Sequence, residues 1–152
     1  MTTTSSSKSV CICLPNSLGE WMAKKDDLGQ DMFLLATPDA AARTAALAYC
    51  AARGKPYVLI PLTRDTAESD LKQRRELSAD GSSRFVDSPL VQAAASSAEN
   101  GAIVILDGLQ QCERNVLPII NNLLENRELP LDDGRFLMAP ERYDELLGGS
   151  GE

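Results

Sequence analysis

A run of four apolar residues at positions 103–106, IVIL, stands between Gly101 and Gly108 and ends on a single acid, Asp107. An unbroken apolar run of this length, bounded by glycines, predicts a strand buried on both faces, as in a parallel sheet. In parallel α/β folds, ligands bind at the carboxyl ends of the strands. Asp107 is therefore the first candidate for a functional side chain, and its position is that of an acid that holds the Mg²⁺ of a bound nucleotide.

The rest of the chain predicts strands that alternate with helices, which indicates an α/β fold with a parallel sheet. The predicted strands are 10–14, 31–35, 56–62 and 102–106; the predicted helices are 37–53, 66–77, 88–99 and 112–126, and 20–30 is a loop or a short helix. Asp133-Gly134 between short apolar runs predicts a hairpin over 127–137. We expect a lead-in segment at 1–30, a core at 31–147 and a flexible tail at 148–152.

Composition excludes several classes of function. The net charge of −7, without a basic stripe carrying interleaved aromatics, argues against a nucleic-acid partner. No apolar run approaches the roughly 18 residues that a membrane span requires. The sequence contains no histidine, which excludes Ser-His and Cys-His nucleophiles and histidine-containing zinc sites. The four cysteines lack a second pair at zinc spacing and favour reduced thiols in an intracellular protein.

The stretch over 85–135 resembles the dynein-related, midasin-like AAA+ ATPases. A run GPLVRAA…ILVLDEINRA is typical of that family, and this chain has SPLVQAA and IVILDGLQQCE. Three longer runs match one branch of the family in order: TRDTAESDLKQRREL, ERNVLPIINNLLENREL and LDDGRFLMAPERYDELL. The resemblance covers 31–147. It implies a three-layer αβα core of the P-loop NTPase type, with ATP at the strand ends and Asp107 holding Mg²⁺ through water.

The phosphate-binding loop of such a fold would follow the first core strand. It needs glycines to turn successive N–H groups toward the phosphates, a lysine, and a Ser/Thr hydroxyl for Mg²⁺. Setting Arg43-Thr44 on the Lys-Ser/Thr pair puts Thr37, Ala40 and Ala42 on the three glycine positions. All the glycines are missing, and the cation is an arginine. Two interpretations stay open: a weakened nucleotide site built from these five residues, or the plain start of an alanine-rich helix.

Other departures from the family concern hydrolysis. Gly108 replaces the glutamate that follows the Walker B aspartate, and glycine cannot orient or deprotonate a water. The sensor strand, the arginine finger and the helical lid of the family have no room, so we expect a core truncated before them. The resemblance places Arg64, Arg74 and Arg75 near a neighbouring subunit. The alternative for this segment is a solvated helix face on which Asp70 pairs with Arg74.

Three functions remain open at this point. The chain is an ATP-binding AAA+ module with Mg²⁺ as its second ligand and with weak or absent hydrolysis. Alternatively, it is a non-catalytic structural module that joins itself or homologous modules in a ring. A third alternative is a truncated gene product. The resemblance implies a mitochondrial location, whereas the N-terminal MTTTSSSKS lacks the arginines of a transit peptide.

Overall fold

The computed structural model describes residues 16–37, 39–95 and 102–148. The chain divides into two compact units, Met1–Gly54 and Lys55–Glu152. The helices are α1 (Asn16–Asp27), α2 (Asp39–Arg53), α3 (Glu68–Leu71), α4 (Pro89–Ala95), α5 (Leu117–Glu125) and α6 (Pro140–Gly148). The strands are β1 (Tyr57–Pro61), β2 (Gln73–Leu77), β3 (Ser83–Asp87), β4 (Ile103–Asp107), β5 (Leu129–Pro130) and β6 (Phe136–Leu137), and a 3₁₀ turn, Leu109–Gln111, follows β4. None of the helices within these ranges is long and apolar enough to cross a membrane.

In the first unit, polar contacts join the ends of α1 and α2. The alanines of α2 have the highest helix propensity of all residues, which accounts for a helix that begins at residue 39 and lasts to Arg53. The buried Tyr49 hydroxyl donates to Asp26 Oδ2 at 2.7 Å, and Arg53 donates to Asp27 Oδ1 at 2.6 Å. The last two turns of α2 are thereby fixed to the carboxyl end of α1.

In the second unit, β1 and β4 form a parallel pair whose register runs from Tyr57 opposite Ile103 to Pro61 opposite Asp107. Both strands therefore end at the same edge of the sheet. The main core lies against this pair. Its buried residues are Leu62, Leu71, Leu90, Val116 and Ile120, and Ile60, Val104 and Leu106 of the strands pack against them. Helices α3, α4 and α5 all contribute to that core, so the end of β4 is held by a packed scaffold.

Two antiparallel hairpins complete the second unit. Strands β2 and β3 pair from Gln73 opposite Asp87 to Leu77 opposite Ser83, and β5 pairs with β6. The second hairpin turns where Gly134 takes a φ of 89°, a conformation that glycine adopts without strain. The predicted hairpin over 127–137 is confirmed.

Two of the predicted elements are wrong. Residues 31–36 form no strand, and Phe33 and Leu35 are exposed. An apolar run becomes a strand only where a neighbour accepts its backbone hydrogen bonds, and no described strand pairs with this one. The predicted helix 66–77 breaks after one turn, because Ser88 N–H donates to the Lys72 carbonyl and the chain continues as β2. Pairing with β3 overrides the helical pattern there.

The other predictions fare better. The strands predicted at 56–62 and 102–106 are β1 and β4, and the helix at 37–53 is α2. Helix α4 begins as predicted at Ser88-Pro89, where the Ser88 hydroxyl accepts the Val91 N–H at 3.2 Å. Helix α5 starts at Leu117, later than predicted. Of the segment predicted as a loop or short helix at 20–30, residues 20–27 belong to α1 and residues 28–30 lie beyond its end. The predicted strand 10–14 and the end of the 88–99 helix lie outside the described residues.

Candidate functional site

Asp107 closes β4 at the carboxyl edge of the parallel pair. The Leu62 N–H donates to the Asp107 carbonyl at 2.7 Å, so the ladder continues to the last residue of β4. The Asp107 side chain is half-buried. Its backbone is thus fixed, and the residue lies at the edge where ligands of parallel sheets bind. This placement agrees with the expectation from the sequence.

Gly108, the next residue, has a backbone that only glycine accepts at low cost. Its φ is 91°, and a Cβ built on it would lie 2.6 Å from the Leu62 carbonyl oxygen. That oxygen belongs to the backbone of a residue that is 2% exposed and sits in the main core, so it has little freedom to withdraw. A glutamate at position 108 would therefore require the end of β1 to shift.

A hydrogen-bonded turn follows β1 at the same edge. The Thr63 N–H donates to Thr66 Oγ1 at 2.9 Å, and the Thr66 N–H donates to the Thr63 carbonyl at 3.2 Å. Arg64 occupies the turn and is exposed. The structure thus brings Arg64, a residue predicted for another role, to the sheet edge that carries Asp107.

The positions of the expected phosphate loop lie in and before a helix. Ala40, Ala42, Arg43 and Thr44 all belong to α2, and Thr37 is exposed ahead of it. Beyond the first turn of an α-helix, each N–H binds the carbonyl four residues earlier, so the N–H groups of Arg43 and Thr44 serve the helix. These positions do not have the backbone of a glycine-rich phosphate cradle. These positions belong to the first unit, whereas Asp107 belongs to the second.

The three arginines predicted at a subunit contact are not on one helix face. Arg74 and Arg75 are successive residues of β2, so their side chains leave opposite faces of the hairpin. Arg75 donates to Ser83 Oγ at 2.9 and 3.1 Å. The helical pair of Asp70 with Arg74 does not form, since Asp70 instead accepts the Ala67 N–H at 2.9 Å.

Asp107 fits a magnesium ligand, although no cluster of three or more metal-binding side chains occurs in the described ranges. Mg²⁺ in nucleotide sites is held by one or two carboxylates, several waters and the phosphates of the substrate. A single carboxylate at the sheet edge therefore suffices on the protein side. The fit is to Mg²⁺ brought with a nucleotide rather than to a metal held by the protein alone.

A polar cluster around the buried Gln73 was not predicted from the sequence. Gln73, 2% exposed, donates from Nε2 to Asp87 Oδ1 at 2.7 Å and to Asp133 Oδ2 at 2.8 Å. Arg135 donates to Asp133 at 2.7 Å and to Asp87 at 2.5 Å. We call these four residues the hairpin clamp, because they join β2 and β3 to the turn between β5 and β6. Its members are far apart along the chain, and only Asp133, beside Gly134, carried a sequence signal.

Hydrogen bonds set the pKa values of both acids in the hairpin clamp. The bonds from Arg135 and then from Gln73 hold the pKa of Asp87 below its ordinary value. The Gln73 amide and then the Arg135 backbone N–H lower the pKa of Asp133. Both carboxylates stay ionised at neutral pH, and Arg135 balances one of the two charges. This cluster stabilises the hairpins. Its ionised carboxylates hold no proton that could be donated in general acid catalysis.

Comparison with known proteins identifies a family that matches this chain. The AAA domain of the dynein-related subfamily matches residues 39–149. This chain belongs to that family. It is also 50% identical over 127 residues to von Willebrand factor A domain-containing protein 8 of Mus musculus. The match covers 84% of this chain and 6% of the mouse protein, so the chain spans a small part of its relative's length.

Membership of the family confirms the fold and the resemblance noted from the sequence. An AAA domain has the αβα architecture of P-loop NTPases, and the parallel pair β1–β4 with its packed helices belongs to that architecture. The three long runs that pointed to one branch of the family agree with the mouse relative. AAA domains bind ATP, typically with Mg²⁺, and they typically oligomerise.

Proposed function

We propose that this AAA module binds Mg²⁺–ATP weakly, with Asp107 holding the metal through water, and that its hydrolysis of ATP is weak or absent when it acts alone. The observation that carries the proposal is the close approach at Gly108, where a Cβ would lie 2.6 Å from the Leu62 carbonyl oxygen. The position after the metal-binding acid is thereby reserved for glycine. The residue that would orient the attacking water is absent from this place, and the backbone opposes its return.

Losing a water-orienting residue costs on the order of two to four decades in rate. The weak binding follows from the phosphate-loop positions, Thr37, Ala40, Ala42, Arg43 and Thr44. Alanines resist the backbone conformations of a phosphate cradle, and a planar guanidinium fits a tight loop less well than an ammonium. We therefore expect these positions to bind phosphate less well than a glycine-rich loop would.

The test is a single-turnover assay in which the chain is in excess over radiolabelled ATP, with Mg²⁺ present. The proposal expects release of labelled phosphate at the rate of a buffer blank or only slightly above it. A second sample carries Asp107→Ala and should release phosphate at the rate of the blank. Hydrolysis well above the blank that disappears in Asp107→Ala would overturn the proposal of weak or absent hydrolysis.

A second candidate function is a non-catalytic structural module that joins a ring of identical or homologous AAA modules. The specific observation in its favour is that α2 already includes Ala40, Ala42 and Arg43, which leaves these positions helical. This candidate expects a folded chain that self-associates in sedimentation velocity runs and does not bind nucleotide.

A mitochondrial location, which the resemblance implies, is part of the proposal under either candidate. Imaging of the tagged full chain in cells would test it.

A further inference from the structure

We propose that Arg64 binds the phosphates of the nucleotide whose Mg²⁺ Asp107 holds. The inference rests on the proposed function, since it assigns a second binding residue to the site of Asp107. The family resemblance places Arg64 with Arg74 and Arg75 near a neighbouring subunit. In the structure Arg74 and Arg75 lie on β2, whereas Arg64 lies in the turn after β1, at the sheet edge that carries Asp107.

The first step of the argument is the register of the parallel pair. Pro61 lies opposite Asp107, and the Leu62 N–H bonds to the Asp107 carbonyl at 2.7 Å. The Leu62 carbonyl lies against Gly108. The two chains therefore leave the sheet side by side, and the residues just after Leu62 are neighbours of the metal-binding acid.

The second step is the rigidity of the turn that carries Arg64. Two hydrogen bonds between Thr63 and Thr66 close it, and the two hydroxyl oxygens lie 3.3 Å apart. Because the turn begins directly after the buried Leu62, its position follows that of the core. A long side chain on a fixed turn loses less conformational entropy on binding than one on a mobile loop.

The third step is the availability of the guanidinium. Arg64 is exposed and makes no ion pair with any acid in the described ranges. Several other cations of this unit are engaged, as in the pairs Lys72–Glu68, Arg84–Glu76, Arg135–Asp87 and Arg142–Glu128. An unengaged arginine beside a metal-binding carboxylate is complementary to a metal–polyphosphate, because the guanidinium fork matches phosphate oxygens in pairs.

The roles of the two residues can be told apart by their dependence on metal. Asp107 acts on the nucleotide through Mg²⁺, whereas Arg64 acts on the phosphates directly. Removing Asp107 should abolish the gain in affinity that Mg²⁺ brings. Removing Arg64 should weaken binding both with and without Mg²⁺, by roughly ten-fold or more, as expected for a lost charge-assisted hydrogen bond.

The experiment is a titration of the full chain with a fluorescent ATP analogue, with Mg²⁺ or with EDTA. It uses the unaltered chain, Arg64→Gln, Arg64→Lys and the control Arg84→Gln. Arg84 is an exposed arginine of the same unit on β3, with one long contact to Glu76 at 3.5 Å. Circular dichroism and sedimentation confirm that each sample is folded and monodisperse. The expected result is weaker binding by Arg64→Gln in both buffers, partial recovery in Arg64→Lys and no change in Arg84→Gln.

Four results would overturn the inference. If Arg64→Gln binds like the unaltered chain, Arg64 does not touch the nucleotide, while the proposed function survives. If Arg64→Gln and Arg84→Gln weaken binding equally, the effect is one of overall charge. If the unaltered chain binds no analogue, both the proposed function and the inference fail. A change of self-association in Arg64→Gln without a change of affinity assigns Arg64 to a contact between subunits and also overturns the inference.

Discussion

The side chain of Gln73 and the backbone and carboxylate of Asp133 are joined by two hydrogen bonds across 60 residues of sequence. Gln73 Nε2 donates to Asp133 Oδ2 at 2.8 Å, and the Asp133 N–H donates to Gln73 Oε1 at 3.1 Å. Because Gln73 is almost completely buried, these bonds are partly shielded from water. The hairpin clamp therefore makes the two hairpins one mechanical unit beside the core.

Replacing Gln73 with leucine should destabilise the second unit by about 2–3 kcal/mol, because three hydrogen bonds to ionic or backbone groups are lost in a buried place. The control is Gln92→Leu. Gln92 is exposed and donates one bond, at 2.8 Å to the Asp87 carbonyl, so its loss should cost less than about 1 kcal/mol. Urea unfolding measures both. If the two variants lose equal free energy of unfolding, the hairpin clamp adds no more stability than a single exposed hydrogen bond.

The hairpin clamp also predicts how stability depends on pH. The folded-state pKa values of Asp87 and Asp133 lie below their unfolded values, so the stability that these acids contribute is fully present at neutral pH. It is lost as the pH falls below about 4 and through the lowered pKa values. We expect the midpoint of thermal unfolding to fall steeply as the pH drops below about 4. In Asp133→Asn this fall should be less steep. Unfolding midpoints of both proteins, measured at several pH values, check this prediction. Parallel curves of midpoint against pH would contradict it.

Gly108→Ala should destabilise the chain by about 2–4 kcal/mol, since it adds backbone strain and a clash with the Leu62 carbonyl. Gly81→Ala is the matched control. Gly81 has a φ of 80°, but no atom lies within 4 Å of where its Cβ would be. It should cost only about 1 kcal/mol, which isolates the clash. Thermal unfolding of both variants decides the point, and a benign Gly108→Ala would remove the structural reason for the missing glutamate.

The hydrogen bond of Tyr49 to Asp26 should make the stability of the first unit fall at high pH. Burial, and then the hydrogen bond to Asp26, raises the pKa of Tyr49 to about 12. Because the folded pKa is the higher one, the stabilisation is complete below the unfolded value and is lost as the pH rises through about 12. Tyr49→Phe should cost about 1–2 kcal/mol at neutral pH, because a bond to a charged group is lost.

Ultraviolet titration of the phenolates provides the direct check. The chain has three tyrosines, and Tyr49 should account for a component of the titration with a pKa of about 12. Tyr49→Phe should remove that component, while Tyr143→Phe should leave it in place. If the component at about 12 persists in Tyr49→Phe, the Asp26 bond is weak in solution.

The elements that could be predicted from sequence are those with a local cause. The apolar run that ends at Asp107 is recognised as a strand, β4, because it is unbroken and glycines bound it in the sequence. Ser88-Pro89 starts α4 because a hydroxyl caps the first turn. Asp133-Gly134 makes a hairpin turn because glycine accepts a positive φ. In each case, the residues that decide the conformation lie within a few positions of it.

The elements that were missed depend on distant partners. β2 looks helical by itself and becomes a strand only because β3 pairs with it. The run at 31–35 has the composition of a strand and remains irregular for want of a paired neighbour. The contact of Gly108 with Leu62 and the burial of Gln73 join residues that are far apart in sequence. No local pattern reports such contacts, so this part of the site required the structure.

The proposed function requires that Asp107 gives this module a Mg²⁺-dependent affinity for ATP. The decisive measurement is a titration of the monodisperse chain with a fluorescent ATP analogue, with and without Mg²⁺. Asp107→Ala is titrated in the same way, and the control is Asp132→Ala, which removes an exposed acid of the β5–β6 turn. We predict saturable binding that Mg²⁺ strengthens, loss of that strengthening in Asp107→Ala, and no change in Asp132→Ala. Absence of binding by the folded chain, or equal Mg²⁺ dependence in Asp107→Ala, would contradict the proposed function.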